Sequence, residues 1–182
     1  MEAFQKFKQQ STETIYWDIV KHNNSSSYIA TTEKGIISLS LGSENFDDFI
    51  SSIKKFTKNP QFIQDPKRLS GASSQLIEYF EGKRKVFNLP LDLRGTEFQL
   101  DVWNSLLRIP FGQTKSYLEI AQDIGNEKAV RAVGGACGAN RVPIIVPCHR
   151  VLGKSGAMTG FSAVGGITTK EALLRHEGVS RI

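Results

Sequence analysis

Apolar stretches rich in β-branched and aromatic residues, ETIYWDIV, SYIATT and GIISLSL, fall between residues 13 and 41 with polar breaks between them, and they read as three strands. The polar run 22–27 and the pair Lys34-Gly35 separate them as turns, so the segment reads as an antiparallel meander. The pattern then changes. Phe46, Phe49, Ile50, Ile53 and Phe56 recur at helical spacing behind Asn45, a candidate N-cap. Residues 59–70, which contain Pro60 and Pro66, read as a connecting loop, and SSQLIEYFEG reads as a second helix closing near Gly82. The stretch 83–95, with Pro90, reads as a linker and divides the chain into residues 1–90 and 91–182.

Beyond the linker the spacing is helical. Thr96 is placed to cap a helix bearing Phe98, Val102, Leu106 and Ile109, stopped by Pro110 and Gly112. Ser116 and Glu119 have the spacing of a capping box that opens a helix running toward Gly125. Asn126 then reads as the cap of EKAVRAVGGACGAN, and two short helices across a glycine turn make a helix-turn-helix. Ala129, Ala132, Gly134, Gly135, Ala136, Gly138 and Ala139 leave the second of them almost without bulk. A glycine inside a helix costs about 1 kcal/mol relative to alanine, so the composition calls for a compensating use. Close approach of the backbone to a partner is one use; tight packing against a neighbouring helix is the other. KEALLRHEGV reads as a last helix capped by Thr168 or Thr169.

At 182 residues, 40% hydrophobic and 23% charged, the chain is long and apolar enough for a packed fold. The net charge of +5 is modest, but it is uneven. From Lys128 onward there are eight basic residues against Glu171 and Glu177, while residues 1–127 carry 15 basic and 16 acidic. A basic final third suits a polyanion partner, with a solvated basic face as the alternative. Two cysteines, Cys137 and Cys148, and three histidines supply neither a disulfide framework nor a structural metal site, so no metal is expected. No run approaches the roughly 18 apolar residues of a membrane span, and MEAFQKFKQQ has no apolar core of a signal peptide. A cytoplasmic protein is expected, or a nuclear one in a eukaryotic source.

The chemistry concentrates in PIIVPCHRV, where Cys148 stands beside His149 and Arg150. A thiol next to an imidazole and a guanidinium sits where thiolate formation is favoured, which a nucleophile needs. A nucleophile also needs a group to orient its base, and Glu177 is the candidate. Taken singly, Cys148 reads more readily as an inert packing residue and Glu177 as a solvated carboxylate.

RAVGGA from Arg131, then Asn140, then IIVPCHRV ending at Val151, then HEG from His176 together resemble the O6-alkylguanine-DNA alkyltransferase family over about residues 95–179. The resemblance implies an α+β protein, with an N-terminal ribonuclease H-like α/β roll followed by a mostly helical, winged helix-turn-helix-like domain. It implies direct, stoichiometric transfer of an alkyl group from O6-alkylguanine in double-stranded DNA to Cys148, by a monomer and without a cofactor; O4-alkylthymine is left open as a substrate. His149, acting through a water, would take the thiol proton, Glu177 would hold the imidazole, and Asn140 would brace the turn. Tyr117 would bond the guanine and press on the neighbouring phosphate, while Arg131 would fill the stack vacated by the flipped base. The backbone of Cys148 and Val151 would read the guanine edge, and Ser162 would contact O6. Asn126 would meet phosphate, and Gln99 and Lys154 are further DNA-contact candidates. The lean helix would lie in the minor groove.

Three features depart from the family pattern. Arg141 replaces the usual proline, which puts the rigidity of that turn in question and adds charge near the DNA. Ala163-Val164 looks like an insertion in the pocket loop, and the N-terminal half lacks the zinc ligands of some relatives. Two other readings compete: a non-catalytic sensor of alkylated DNA, against which the intact Cys148 stands, and a Cys-His hydrolase with an appended helix-turn-helix.

Overall fold

The computed structural model describes residues 12–22, 25–42, 45–158, 160–163 and 165–180. The segment read as strands forms β1 (Glu13–His22), β2 (Ser25–Thr31) and β3 (Ile36–Leu39), antiparallel neighbours in chain order. Alternation splits their side chains between two faces. Ile15, Ala30 and Ile37 pack under Phe49 and Ile53 of α1 (Phe46–Lys54), whose N-cap Asn45 accepts from the Asp47 amide at 2.7 Å. Val20, Ile29, Ile36 and Leu39 face the opposite side.

The loop expected over 59–70 is instead two elements. Pro60–Gln64 forms β4, parallel to β1 at the edge of a sheet ordered β3-β2-β1-β4, and α2 spans Pro66–Phe80. Both prolines occupy positions that tolerate a missing N–H. Pro60 opens an edge strand, and Pro66 is the first helical residue behind Asp65, whose carboxylate accepts from the Arg68 amide at 2.9 Å. The stretch 83–95 is irregular but strapped to the sheet: the Ile36 amide donates to Pro90 O and the Asp92 amide to Ile36 O, both at 2.8 Å. Gly35 permits the approach, since a Cβ there would lie 2.4 Å from the Pro90 carbonyl carbon. Arg94 closes the strap with ion pairs to Glu13 and Asp92.

The second half comprises α3 (Glu97–Leu106), β5 (Lys115–Ser116), α4 (Tyr117–Asp123), a 3-10 turn at Glu127–Ala129, α5 (Val130–Gly138), a 3-10 turn at Cys148–Arg150, β6 (Val151–Leu152) and α6 (Gly166–His176). Thr96 with Gln99 and Ser116 with Glu119 close the capping boxes of α3 and α4. Two expected caps are otherwise. Asn126 makes no side-chain cap bond, because the 3-10 turn intervenes before α5. Helix α6 begins earlier than Thr168 or Thr169, behind Gly165 at φ 85°, a left-handed conformation that glycine adopts without strain.

A single buried cluster runs from Val20 and Ile29 through Leu76 and Tyr79 to Trp103, Val133, Val146 and Leu173, so the sheet side and the helical side share one core. Trp103 Nε1 donates to Ala136 O at 2.8 Å and locks α5 onto α3. Among the described residues no helix is long and apolar enough to cross a membrane. MEAFQKFKQQ, Val164 and Arg181 lie outside the described residues.

Candidate active site

Residues 140–147 carry no regular element, and their shape is set by one amide. Asn140 Nδ2 donates to Val146 O at 2.8 Å and to Cys148 Sγ at 3.1 Å, while its Oδ1 accepts from the Val142 amide at 3.0 Å. Three bonds from one side chain thus fix both ends of the loop and aim a donor at the sulfur. Ile144 within it has φ 70°, a conformation costing a β-branched residue about 1–3 kcal/mol, which the buried neighbours Val142 and Val146 hold in place.

Behind the thiol lies a fully buried acid-base pair. His149 Nε2 and Glu177 Oε1 are 2.8 Å apart, and neither side chain reaches solvent. The same carboxylate accepts from Arg150 Nε at 2.8 Å, Arg150 Nη2 at 2.9 Å, the Gly112 amide at 3.1 Å and Tyr79 Oη at 2.8 Å. Burial alone would raise the Glu177 pKa, but the bonds from His149 and Arg150 outweigh it and hold the carboxyl well below the usual range. An ionised carboxylate only accepts, so Nε2 carries the imidazole proton and Nδ1 bears the lone pair. Nδ1 is buried and has no hydrogen-bond partner. Burial lowers the His149 pKa despite the pull of Glu177, so the imidazole is neutral at rest and able to accept a proton.

The guanidinium near Cys148 in sequence does not serve the sulfur. Arg150 turns away from the sulfur, to Glu177 and to Ile109 O at 2.6 Å. Burial raises the Cys148 pKa, only partly offset by Asn140 and by the charge of Lys170. The site therefore holds a thiol with a base at hand.

Cys148 opens on a cavity of about 590 Å³ lined by Tyr117, Arg131, Gly134, Cys137, Phe161 and Ser162, among others. Parallel pairing of Lys115 with Val151 and Ser116 with Leu152 brings the start of α4, and with it Tyr117, alongside the cysteine turn. Helix α5 forms another wall. A Cβ on Gly135 or Gly138 would meet nothing within 4 Å, and one on Gly134 would make only ordinary contact with the Tyr117 ring. Packing inside the molecule therefore does not require these three glycines, and close approach of an outside partner remains as their use.

Residues 97–179 match the family described as 6-O-methylguanine DNA methyltransferase, DNA binding domain, and residues 27–93 match its ribonuclease-like domain. The inducible methylated-DNA–protein-cysteine methyltransferase of Bacillus subtilis is 43% identical over 164 residues, 90% of each chain. The Mycobacterium bovis protein of that name is 56% identical over 113 residues, 62% of this chain and 67% of its own. The chain belongs to the methylated-DNA–protein-cysteine methyltransferase family. Among solved structures, Mycobacterium tuberculosis O6-methylguanine methyltransferase superposes with a TM-score of 0.77 at 40% identity, covering 92% of this chain and 94% of that one. The same organism's protein in complex with DNA gives 0.76 at 41%, covering 91% and 94%.

The remaining site candidates of this methyltransferase-family chain fall in three places. Arg131 is exposed on the face of α5 that carries Gly135 and Gly138, and Ser162 is exposed beside Phe161 at the cavity mouth. The Val151 carbonyl accepts from the buried Lys170 Nζ at 2.6 Å and keeps a second lone pair. Asn126 and Lys154 are exposed at the starts of 3-10 turns, while the Gln99 side chain accepts from the Thr96 amide at 3.0 Å.

The basic final third is less of a phosphate-facing surface than its count suggests. Arg150 and Lys170 are buried, and Arg175 pairs with Glu171. The Arg141 guanidinium stacks on Phe56 at 4.0 Å and donates to Arg94 O at 2.6 Å, tying the Asn140 loop to the sheet side. The sequence reading gave Tyr79 and Gly112 no place in the site, because their partner Glu177 lies far along the chain. Lys170 left a trace, a lysine three and four residues before the core leucines Leu173 and Leu174.

Proposed function

We infer that the protein repairs DNA by moving an alkyl group from O6-alkylguanine to the sulfur of Cys148, once per molecule. The observation that carries this is a buried thiol that accepts a bond from Asn140 and is followed in sequence by a carboxylate-held imidazole, on a cavity walled by a helix whose outer glycines face open space. The target carbon lies inside a duplex, so the base must rotate out, at a cost of a few kcal/mol. Helix α5 lies against the minor groove, where its lack of bulk lets the backbone approach, and Arg131 fills the space left in the stack. Asn126 and Lys154 meet phosphate, and Gln99 lies near the DNA backbone.

The flipped guanine enters the cavity beside Tyr117, which bonds its ring; Ser162 contacts O6, and the backbone of Cys148 and Val151 reads its edge. The thiol proton passes through a water to His149 Nδ1, while Glu177 steadies the imidazolium that forms and Asn140 steadies the sulfur. Sulfur attacks the alkyl carbon in line, the carbon–sulfur bond forms, and the bond to O6 breaks with its electrons going to the base. Guanine is restored, and the thioether left on Cys148 ends the protein's activity. The protein acts as a single chain in the reducing compartment that holds the DNA, where both cysteines are free thiols.

Titrating duplex DNA containing O6-methylguanine with the protein tests this. Lesion loss should reach a plateau at one per chain. Binding without lesion loss would make the protein a sensor, and continued turnover would make it a hydrolase.

A further inference from the structure

Among the described residues, every donor to the Glu177 carboxylate but one comes from the helical half of the molecule. The exception is Tyr79, at the end of α2 on the sheet side, whose hydroxyl donates to Oε1 at 2.8 Å across 98 residues of sequence. That oxygen is the one that holds His149. Tyr79 is fully buried, so its hydroxyl has no water to turn to, and a second bond fixes the same helix end: His176 Nε2 lies 2.6 Å from Tyr79 O. The end of α2 thereby grips two successive residues, His176 and Glu177. The rings of Phe80, Phe87 and Phe111 surround Tyr79 and leave it no other place.

We propose that Tyr79 is a positioning residue of the alkyl-transfer reaction, by which the N-terminal half sets the basicity of the Glu177–His149 relay. The proposal rests on the function inferred above. A carboxylate oxygen shared among three donors gives less of its charge to each. With the Tyr79 hydroxyl present, Oε1 pulls less strongly on the His149 proton, and the imidazole stays neutral to lower pH. Burial and the neighbouring carboxylate push the phenol pKa up, so it remains a donor throughout. The other charged or titratable groups facing the pair are Arg150 and Lys170, with His176 at 5.0 Å from the Tyr79 ring. Changing the side chain at position 79 removes none of these groups.

The test is the pH dependence of Cys148 alkylation in the full chain, followed by mass on the Cys148 peptide. One arm uses duplex O6-methylguanine and the other iodoacetamide, which reads the thiol's ionisation whether or not the protein accepts alkylguanine. Tyr79→Phe removes the donor and should move the acidic limb to higher pH, by about half a unit, since a hydrogen bond to a charged group is worth about one to two units and only part reaches the imidazole. Placing 3-fluorotyrosine at position 79 strengthens the donor without removing it and should move the limb the other way. Limbs that superimpose with wild type, or that both move in one direction, would overturn the proposal, even if overall rates fall. Wild-type protein that reacts with iodoacetamide but never with the duplex would overturn the function instead, and the iodoacetamide limbs would still decide on Tyr79.

Discussion

The two cysteines of this chain line the same cavity, are both free and are both buried, yet the groups placed around the two sulfurs differ. Cys137 sits on the inner face of α5, where burial pushes its thiol up to about 12. Cys148 is buried more deeply still, but an amide donor touches its sulfur and its neighbour in sequence is a neutral, carboxylate-held imidazole. Reactivity in this pocket therefore comes from where a proton can go and from what receives the charge left behind. Exposure and ordinary thiol acidity do not explain it.

Substitutions that remove this difference should have the largest effects. Cys148→Ala should abolish methyl uptake from duplex O6-methylguanine, while Cys137→Ala should leave the rate within about a factor of two, because the second sulfur has no relay; timed intact-mass measurements distinguish the two. His149→Ala should slow uptake by about 10²–10⁴-fold, the usual worth of a positioned base. Glu177→Gln should do so too and also destabilise the fold by about 3–5 kcal/mol, since Arg150 would keep a buried charge without its partner; thermal unfolding reads that cost. A smaller change tests the cavity wall. Gly135→Leu fills space that nothing in the molecule occupies, so stability should rise slightly, by up to about 1 kcal/mol. Duplex repair should fall by about tenfold or more as the backbone is held off the groove, with reaction toward free O6-benzylguanine retained.

The smallest effect is set by pH. The folded state holds His149 below its ordinary pKa of 6.5, so the unfolded chain binds that proton first as pH falls. This contribution to stability is complete above the unfolded value and declines as pH drops through and below 6.5. Unfolding midpoints should decrease from pH 7 to 5, and His149→Ala should flatten that slope.

The same contrast explains which parts were legible in the sequence. The lean face of α5, the capping boxes at Thr96 and Ser116 and the PCHRV run are local patterns, and the chain displays them directly. The strand β4 and the first turns of α2 were hidden by Pro60 and Pro66, residues that end elements in most places and begin them here. Arg150 was read as an activator of its neighbour because adjacency in sequence is visible, whereas its bond to Glu177, 27 residues on, is not. Tyr79 offered only an aromatic on a helix, and its meaning depends on a fold that brings residue 177 to it.

The most direct test of the account is peptide mapping after the protein has reacted to completion with a duplex carrying isotopically labelled O6-methylguanine. The label should appear on Cys148 alone, one per chain, with guanine restored in the duplex. Label on Cys137, or intact lesion in the presence of bound protein, would contradict it.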